Sequence, residues 1–165
     1  MSTSIVIRAF QKSDYPSCAK IYGDGINTGV ATFETEVPDW EKWDTKYLKP
    51  CRFVAAVNDV VVGWVALTPF SDRAVYSGVA EVTLYISKEF RGQGIGKMLL
   101  EHLNTESEAQ GFWTLQAKIF PQNSASISLF TNCGFRKVGV RESLGMRDGV
   151  WHDNVLLERR KKEEY

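Results

Sequence analysis

Apolar and polar residues alternate along several short stretches of the chain, a pattern typical of strands that bury one face of a sheet. The stretches 53–57 and 60–67 are separated by Asn58 and Asp59, and this pair of turn residues predicts an antiparallel hairpin. The complete set of predicted strands is 4–10, 53–57, 60–67, 79–86, 113–120, 135–141 and 150–158.

Between these strands, apolar residues recur every three or four positions, which predicts helices. Ile95, Leu99 and Leu103 mark one face of a helix that ends near Gln110 and Gly111. The other three predicted helices cover about 13–26, 38–48 and 123–133. The resulting order, β-α-α-β-β-β-α-β-α-β-β, predicts an α+β fold with α/β layering, and we expect residues 1–165 to form one domain.

Composition narrows the possible functions. A chain of 165 residues with 44% hydrophobic content can bury one substantial core. Its 20 basic and 20 acidic side chains cancel, which does not favour a nucleic-acid partner. No apolar run reaches the roughly 18 residues of a membrane span, and the first residues do not resemble a secretion signal, so we expect a cytoplasmic protein without a membrane partner.

Cysteine and histidine usage does not suggest a metal site or a disulfide framework. Cys18, Cys51 and Cys133 are odd in number and widely spaced, and the chain has only two histidines. We therefore expect three reduced, buried thiols and no metal.

Candidate chemistry begins at Arg91–Lys97, which reads RGQGIGK between a predicted strand and a predicted helix. Glycines allow main-chain N–H groups to approach an anion closely, and the start of the helix adds a positive dipole end. A dinucleotide fingerprint would require glycine at 97, and a nucleoside-triphosphate loop would require glycine at 91 and Ser or Thr at 98. Neither pattern fits this segment. The motif that it does contain is R-x-x-G-x-G, which is either a phosphate-binding loop or a flexible turn.

This hexapeptide resembles the coenzyme A pyrophosphate loop of the GNAT acyltransferase superfamily. A second motif, N-x-x-S-x-x-L-F-x-x-x-G-F from Asn123, resembles the family segment that lies along the pantetheine arm. Over residues 5–157 the chain resembles the phosphinothricin and methionine sulfone or sulfoximine N-acetyltransferases. The residues that carry this closer resemblance are Thr32-Phe33-Glu34, Arg73, Tyr76, Glu81, Tyr85, Gly149, Trp151 and Asp153.

The resemblance implies a mixed, mostly antiparallel, twisted sheet of about seven strands flanked by about four helices. It implies transfer of an acetyl group from acetyl-CoA to the amino group of a small amino acid or analogue, by direct attack in a ternary complex. The implied partner is a small-molecule amine, and relatives of this kind commonly form homodimers. Acetylation of a protein N-terminus or lysine, and a non-catalytic coenzyme A-binding sensor, are the alternatives.

Three catalytic tasks need residues. The amine must lose a proton, and the resemblance assigns the role of general base to Glu81. Asp72 and Glu34 are competing carboxylates for this role. The alternative is that Glu81 is an ordinary glutamate at the start of a strand that faces solvent. A main-chain N–H in the stretch 84–86 would stabilise the oxyanion. The departing thiolate is commonly protonated by a Tyr or His in the family, and Phe130 occupies that position here. The proton donor is therefore Tyr85 or solvent, or the thiolate leaves without being protonated.

Binding residues follow from the same resemblance. Arg73 is the natural clamp for the substrate carboxylate, because a guanidinium matches it bidentately. The predicted cofactor residues are Leu84, Tyr85, Ile86, Arg91, Gly92, Gln93, Gly94, Ile95, Gly96, Lys97, Asn123 and Ser126, and the predicted substrate residues are Phe33, Glu34, Arg73, Tyr76 and Arg147. From the residues alone, Asn123 is also a helix N-cap, Phe33 a core residue and Arg147 a solvated surface charge. Trp151 is expected to pack under the site.

Overall fold

The computed structural model describes residues 4–163, so the extreme ends of the predicted 1–165 domain lie outside the described residues. The order of elements predicted from the sequence is confirmed. The strands are β1 (Ile5–Ala9), β2 (Phe53–Val57), β3 (Val60–Pro69), β4 (Val79–Ile86), β5 (Thr114–Ile119), β6 (Arg136–Arg147) and β7 (Val150–Arg160). The helices are α1 (Tyr15–Asn27), α2 (Trp40–Lys46), α3 (Ile95–Ala109) and α4 (Ser124–Asn132).

All seven strands form one sheet in the order β1-β2-β3-β4-β5-β7-β6. Every neighbouring pair is antiparallel except β4 and β5, which run parallel because α3 crosses over between them. The predicted mixed, mostly antiparallel sheet is therefore confirmed.

The sheet separates two apolar layers. On one side, which we call the α3 face, α3 and α4 cover alternate residues of the central strands, such as Val82 and Leu84 of β4. On the other side, the α1 face, α1 and α2 cover the remaining positions, including Trp64 of β3 and the ring of Tyr85. Successive side chains of one strand therefore serve two different layers.

Turn residues explain the boundaries at two hairpins. Asn58 and Asp59 have φ of 49° and 64°, the left-handed conformation that a tight two-residue hairpin requires, and this predicted hairpin is confirmed. The β6–β7 hairpin is longer than predicted, because β6 continues to Arg147 instead of stopping near 141. An irregularity between Arg141 and Gly145, with Ser143 at φ 44°, interrupts the alternation that a sequence pattern would detect.

The three cysteines are buried free thiols, as expected. Burial raises the pKa of the Cys18 thiol to about 12, which keeps it protonated and unreactive at neutral pH. Among residues 4–163, no three His, Cys, Asp or Glu side chains lie together as a metal ion would require. Within the same residues, none of the helices is long and apolar enough to cross a membrane.

Candidate active site

The parallel pairing of β4 and β5 ends early, and a cavity opens where it stops. The register covers Val79↔Thr114, Ala80↔Leu115 and Glu81↔Gln116, although both strands continue for several residues beyond the last pair. A cavity of about 1040 Å³ passes through this gap. Its walls include Leu84 and Ile86 from the α3 face and Glu81 and Tyr85 from the α1 face, so it reaches both layers.

The glycine loop forms one end of this cavity. Gly92 and Gly94 adopt φ of 76° and 80°, and a Cβ at either position would meet nothing within 4 Å. Glycine is therefore required there by the backbone conformation and not by lack of space. Gly94 is also the N-cap of α3, so the loop presents main-chain N–H groups and the positive end of the helix dipole at the cavity wall.

The remaining predicted loop residues surround this turn. Arg91 and Lys97 line the cavity with exposed side chains, and the buried Ile95 and the half-buried Gly96 also line it. A Cβ on Gly96 would lie 2.9 Å from Leu129, so a glycine here lets α3 approach α4 closely. Gln93 does not line the cavity, and its amide donates to the carbonyl of Glu89 at 3.4 Å.

The start of α4 lies beside the loop. The side chain of Asn123 caps this helix by accepting a hydrogen bond from the N–H of Ser126 at 3.3 Å, and both residues line the cavity. The N-cap interpretation of Asn123 is thus confirmed, and it leaves the amide N–H₂ group for another partner. Phe130 is only 4% exposed and packs edge-on against Phe135, with ring centroids 5.0 Å apart.

Glu81 occupies the last paired position before the gap. Its carboxylate lies 3.0 Å from the ammonium of Lys118 and 3.4 Å from the side-chain amide of Gln116. Its side chain is 26% exposed and lines the cavity, so it is half-buried and does not lie on the open outer surface. Of the two competing carboxylates, Glu34 also lines the cavity and pairs with Lys46 at 3.5 Å, whereas Asp72 is exposed on the β3–β4 connection.

Three tyrosines line the α1 side of the cavity. Burial raises the pKa of Tyr22 to about 12, and burial likewise raises the pKa of Tyr47 and of Tyr85 well above the usual phenol range. The Tyr85 ring also contacts Gly25 of α1, where any Cβ would lie 2.6 Å from the ring. All three phenols keep their protons at neutral pH. Tyr85 is consequently suited to donating a hydrogen bond and poorly suited to giving up a proton.

The predicted substrate residues fall into two groups. Phe33 and Glu34 line the cavity, and Phe33 packs against Phe120 with ring centroids 4.6 Å apart. Phe33 is therefore both a packing residue and a cavity wall. Arg73 and Tyr76 are exposed on the β3–β4 connection, where the guanidinium lies 5.6 Å from the Tyr76 ring, and neither is part of the cavity lining.

The interpretation of Arg147 as a solvated surface charge is wrong. It is 9% exposed and donates to the carbonyl oxygens of Thr32 at 2.8 Å and Ile26 at 2.6 Å. Its hydrogen bonds therefore link the end of α1 to the segment that carries Phe33, and this segment lines the cavity. The expectation that Trp151 packs under the site is also wrong, because this side chain is 59% exposed and belongs to neither packed layer.

Among the polar residues of the cavity wall that sequence reasoning missed are Lys118 on β5 and Asn154 on β7. Both lie at positions where the alternation of side chains assigns the face opposite to the buried Ala117 and Val155. This alternation shows that the two side chains share a face of their strands with other polar residues. It does not show that the face borders a cavity, because that depends on the order of the strands in the sheet.

Comparisons with known proteins agree with this geometry. A sequence model of the Acetyltransferase (GNAT) family matches residues 17–135. The phosphinothricin N-acetyltransferase of Alcaligenes faecalis is 31% identical over 93% of this chain and 81% of its own length. The L-methionine sulfoximine/L-methionine sulfone acetyltransferase of Pseudomonas aeruginosa is 29% identical over 94% of each chain. The crystal structure of a GNAT superfamily phosphinothricin acetyltransferase from Sinorhizobium meliloti in complex with AcCoA has a TM-score of 0.85 and 30% identity, and covers 94% of this chain and 88% of that one.

Proposed function

Because the chain belongs to the acetyltransferase (GNAT) family, we propose that it transfers an acetyl group from acetyl-CoA to the amino group of a small amino acid or analogue. Acceptors of the phosphinothricin, methionine sulfone and methionine sulfoximine type are those named for the relatives above. The observation that carries the proposal is the single cavity that joins the glycine loop to Glu81 through the β4–β5 gap.

On the α3 side, the loop and α4 supply groups that fit a coenzyme A. The main-chain N–H groups of residues 91–96 are suited to the pyrophosphate, and the charges of Arg91 and Lys97 add attraction. Asn123 and Ser126 offer polar atoms to the pantetheine amides. The strand stretch 84–86 offers main-chain groups on the side where its pairing with β5 has ended.

Acetyl-CoA, when bound, supplies the thioester carbonyl that the amine attacks. An α-amino group has a pKa of about 8, so much of it is protonated at neutral pH and needs a base, which we assign to Glu81. A main-chain N–H of residues 84–86 donates to the negative charge that develops on the carbonyl oxygen. Glu81 first takes a proton from the ammonium form of the acceptor and releases it to solvent. The free amine then forms the C–N bond at the carbonyl carbon, the C–S bond breaks, and the second nitrogen proton passes to Glu81.

Protonation of the departing thiolate is assigned to solvent. Phe130 has no proton to give, and burial holds the proton on Tyr85. A thiol has a pKa of about 8.5, so its anion is a tolerable leaving group near neutral pH without an acid from the protein.

On the α1 side, Phe33 and Glu34 form part of the acceptor wall. Arg73 and Tyr76 lie outside the cavity lining, on the β3–β4 connection, and the exposed guanidinium of Arg73 is chemically suited to the acceptor's α-carboxylate. Arg147 acts through the carbonyls of Ile26 and Thr32, which hold this part of the wall in place.

The test is a thiol-release assay with a panel of amines. We expect release with phosphinothricin, methionine sulfone or methionine sulfoximine, together with an acetylated product identified by mass spectrometry. Release with peptides and none with free amino acids would instead indicate a peptide acetyltransferase. Tight acetyl-CoA binding without release for any amine would indicate a coenzyme A sensor.

We also propose a homodimer formed through the β6–β7 hairpin. β6 is an edge of the sheet, and Met146 and Trp151 lie opposite each other with 52% and 59% of their surface exposed. Exposed apolar groups of this size are typical of interaction surfaces. Sedimentation should give a dimer for the parent and a monomer for Trp151→Lys, whereas a monomeric parent would contradict the proposal.

We also propose a cytoplasmic location, which the free cysteine thiols and the proposed use of acetyl-CoA support.

A further inference from the structure

Asn154 places a buried amide in the wall of the cavity. The residue is 3% exposed, yet its side-chain oxygen has no hydrogen-bond donor in the part of the chain that the structure describes. Buried polar groups are nearly always paired, so this one requires an explanation. An amide oxygen only accepts hydrogen bonds, so the missing partner is an N–H or O–H group.

The strand register sets Asn154 and Glu81 on the same face of the sheet. Glu81 alternates with Ala80 and Val82, Asn154 precedes Val155, and these three apolar residues belong to the core on the α3 face. Glu81 and Asn154 therefore lie on the α1 face. Glu81 lies at the closed end of the β4–β5 gap, where the pairing stops, and Asn154 lies one residue beyond the last β5–β7 pair, at the open end. An amine that enters the gap from this face meets two hydrogen-bond acceptors, one from each end.

A primary amine has the hydrogen atoms that these two groups need. In its neutral form it carries two N–H groups and one lone pair, which point in different directions from the nitrogen. One N–H is directed at Glu81, which takes that proton in the proposed reaction, and the second N–H has the oxygen of Asn154 as its acceptor. With both N–H groups held, the direction of the lone pair is fixed, and the nitrogen is oriented for attack on the thioester carbonyl.

We propose that the side-chain oxygen of Asn154 accepts a hydrogen bond from the reacting nitrogen of the substrate, and that this bond selects primary amines over N-alkylated ones. The inference rests on the proposed function and adds a group that orients its nucleophile. As the C–N bond forms and the C–S bond breaks, one nitrogen proton passes to Glu81, and the N–H that remains is the one held by Asn154. A neutral secondary amine has a single N–H, which Glu81 requires, so an alkyl group faces Asn154 instead.

Two other sources of a donor make different predictions. An ordered water would pair with the oxygen in the free enzyme, and replacement of Asn154 would then affect primary and secondary amines alike. If the donor were an amide of the pantetheine arm, replacement of Asn154 would weaken the binding of coenzyme A. The position of Asn154 favours the substrate amine, because the glycine loop and the start of α4, which fit coenzyme A, lie on the α3 side.

The experiment compares methionine sulfone, which is a primary amine, with its N-methyl derivative, which is a secondary one. We expect the parent to favour the primary amine, and Asn154→Leu to lower the ratio of the two kcat/KM values by about 3–10-fold. Asn154→Asp retains an acceptor oxygen and should keep most of the ratio. Asn132→Leu, an exposed change at the end of α4, is the matched control and should leave the ratio unchanged.

Calorimetry supplies a readout that does not need turnover. In the presence of coenzyme A, the Kd of methionine sulfone should rise by about 3–10-fold in Asn154→Leu. The Kd of 4-(methylsulfonyl)butanoate, which is methionine sulfone without its amine, should stay the same, as should the Kd of coenzyme A. Urea titration of Asn154→Leu should give an unfolding midpoint no lower than that of the parent, because an apolar group of similar size replaces an unpaired acceptor.

A ratio of kcat/KM values that stays within about twofold of the parent in Asn154→Leu would overturn the inference, as would a parent that prefers the N-methyl derivative. A coenzyme A Kd that rises while the ratio stays the same would assign the oxygen to the pantetheine arm and would also overturn it. An unfolding midpoint of Asn154→Leu below that of the parent would show that the oxygen is paired inside the protein, with the same consequence. If the parent released no thiol with any amine, the proposed function would fail, and the calorimetry would still decide whether Asn154 binds the nitrogen.

Discussion

The two halves of the cavity are built in different ways. The α3 half is built around the glycine loop, one contiguous segment whose main chain turns at Gly92 and Gly94, and around the start of α4. The α1 half consists of side chains that come from separate strands, including Glu81 on β4, Lys118 on β5 and Asn154 on β7. A contiguous main-chain site can serve one invariant ligand, whereas dispersed side chains can change one at a time. This difference suits a fixed acyl donor and a variable acceptor.

The largest expected effect on activity is that of replacing Glu81, which lies at the β4–β5 gap where the two halves of the cavity meet. Glu81→Gln should lower kcat/KM by about 10²–10⁴-fold, because the attacking amine loses its base. The Kd of acetyl-CoA should stay within about twofold, because main-chain groups of the other half hold it. Glu142→Gln, an exposed change on β6, is the control. A fall of less than threefold in the thiol-release assay would move the base elsewhere.

Arg147→Met tests whether the α1 half depends on long-range support. Two main-chain carbonyls would lose a charged donor inside the protein, and we expect the free energy of unfolding to fall by about 2–4 kcal/mol. Urea titration would measure this, with the exposed Arg141→Met as control. The KM for the acceptor should rise, while the Kd of acetyl-CoA should change little. Unchanged stability would contradict the structural role assigned to Arg147.

Gly94→Ala tests the α3 half. Alanine in a left-handed conformation costs about 1–2 kcal/mol, so the Kd of acetyl-CoA should rise about 5–30-fold as the loop relaxes to another shape. Calorimetry measures this directly. The control is Gly139→Ala on β6, where a Cβ meets nothing within 4 Å and φ is not positive. An equal effect of both substitutions would show that the loop conformation is not what matters.

The smallest expected effect is a pH-dependent one at the start of α1. The hydrogen bonds from Arg8, together with the N–H of Gln11, hold the pKa of Asp14 below its usual range. A lowered carboxyl pKa stabilises the fold above the unfolded value of about 3.9, and this contribution is lost as pH falls through the folded value. Asp14→Asn should therefore cost about 1 kcal/mol at pH 7, and the difference should vanish in strong acid.

Urea titrations of the parent and Asp14→Asn at neutral and acid pH would measure this difference, with the exposed Asp24→Asn as control. A difference that stays constant with pH would contradict the assignment to the Asp14 carboxylate.

The sequence predicts the α3 half well, because its information is local. The glycine loop, the motif from Asn123 and the N-cap are each contained in a short segment, and the Asn58-Asp59 hairpin follows from two turn residues. Element types are also local, since alternation and helical spacing report burial directly.

The α1 half could not be predicted in the same way, because its contacts join distant segments. The ion pair of Lys118 with Glu81 depends on a parallel register set across the whole of α3. Arg147 finds its acceptors 115 and 121 residues away, and these are carbonyl oxygens, which every residue carries. No side-chain pattern distinguishes such partners. The burial of Arg147 and the exposure of Trp151 therefore emerge only from the strand order.

The most direct test is a crystal structure with coenzyme A and an acceptor bound together. We predict that the pyrophosphate accepts hydrogen bonds from the main chain of residues 91–96, and that the sulfur lies in the β4–β5 gap with the acceptor amine next to Glu81. A pyrophosphate on another surface, or an acceptor amine outside the gap, would contradict the account of two halves joined by one cavity.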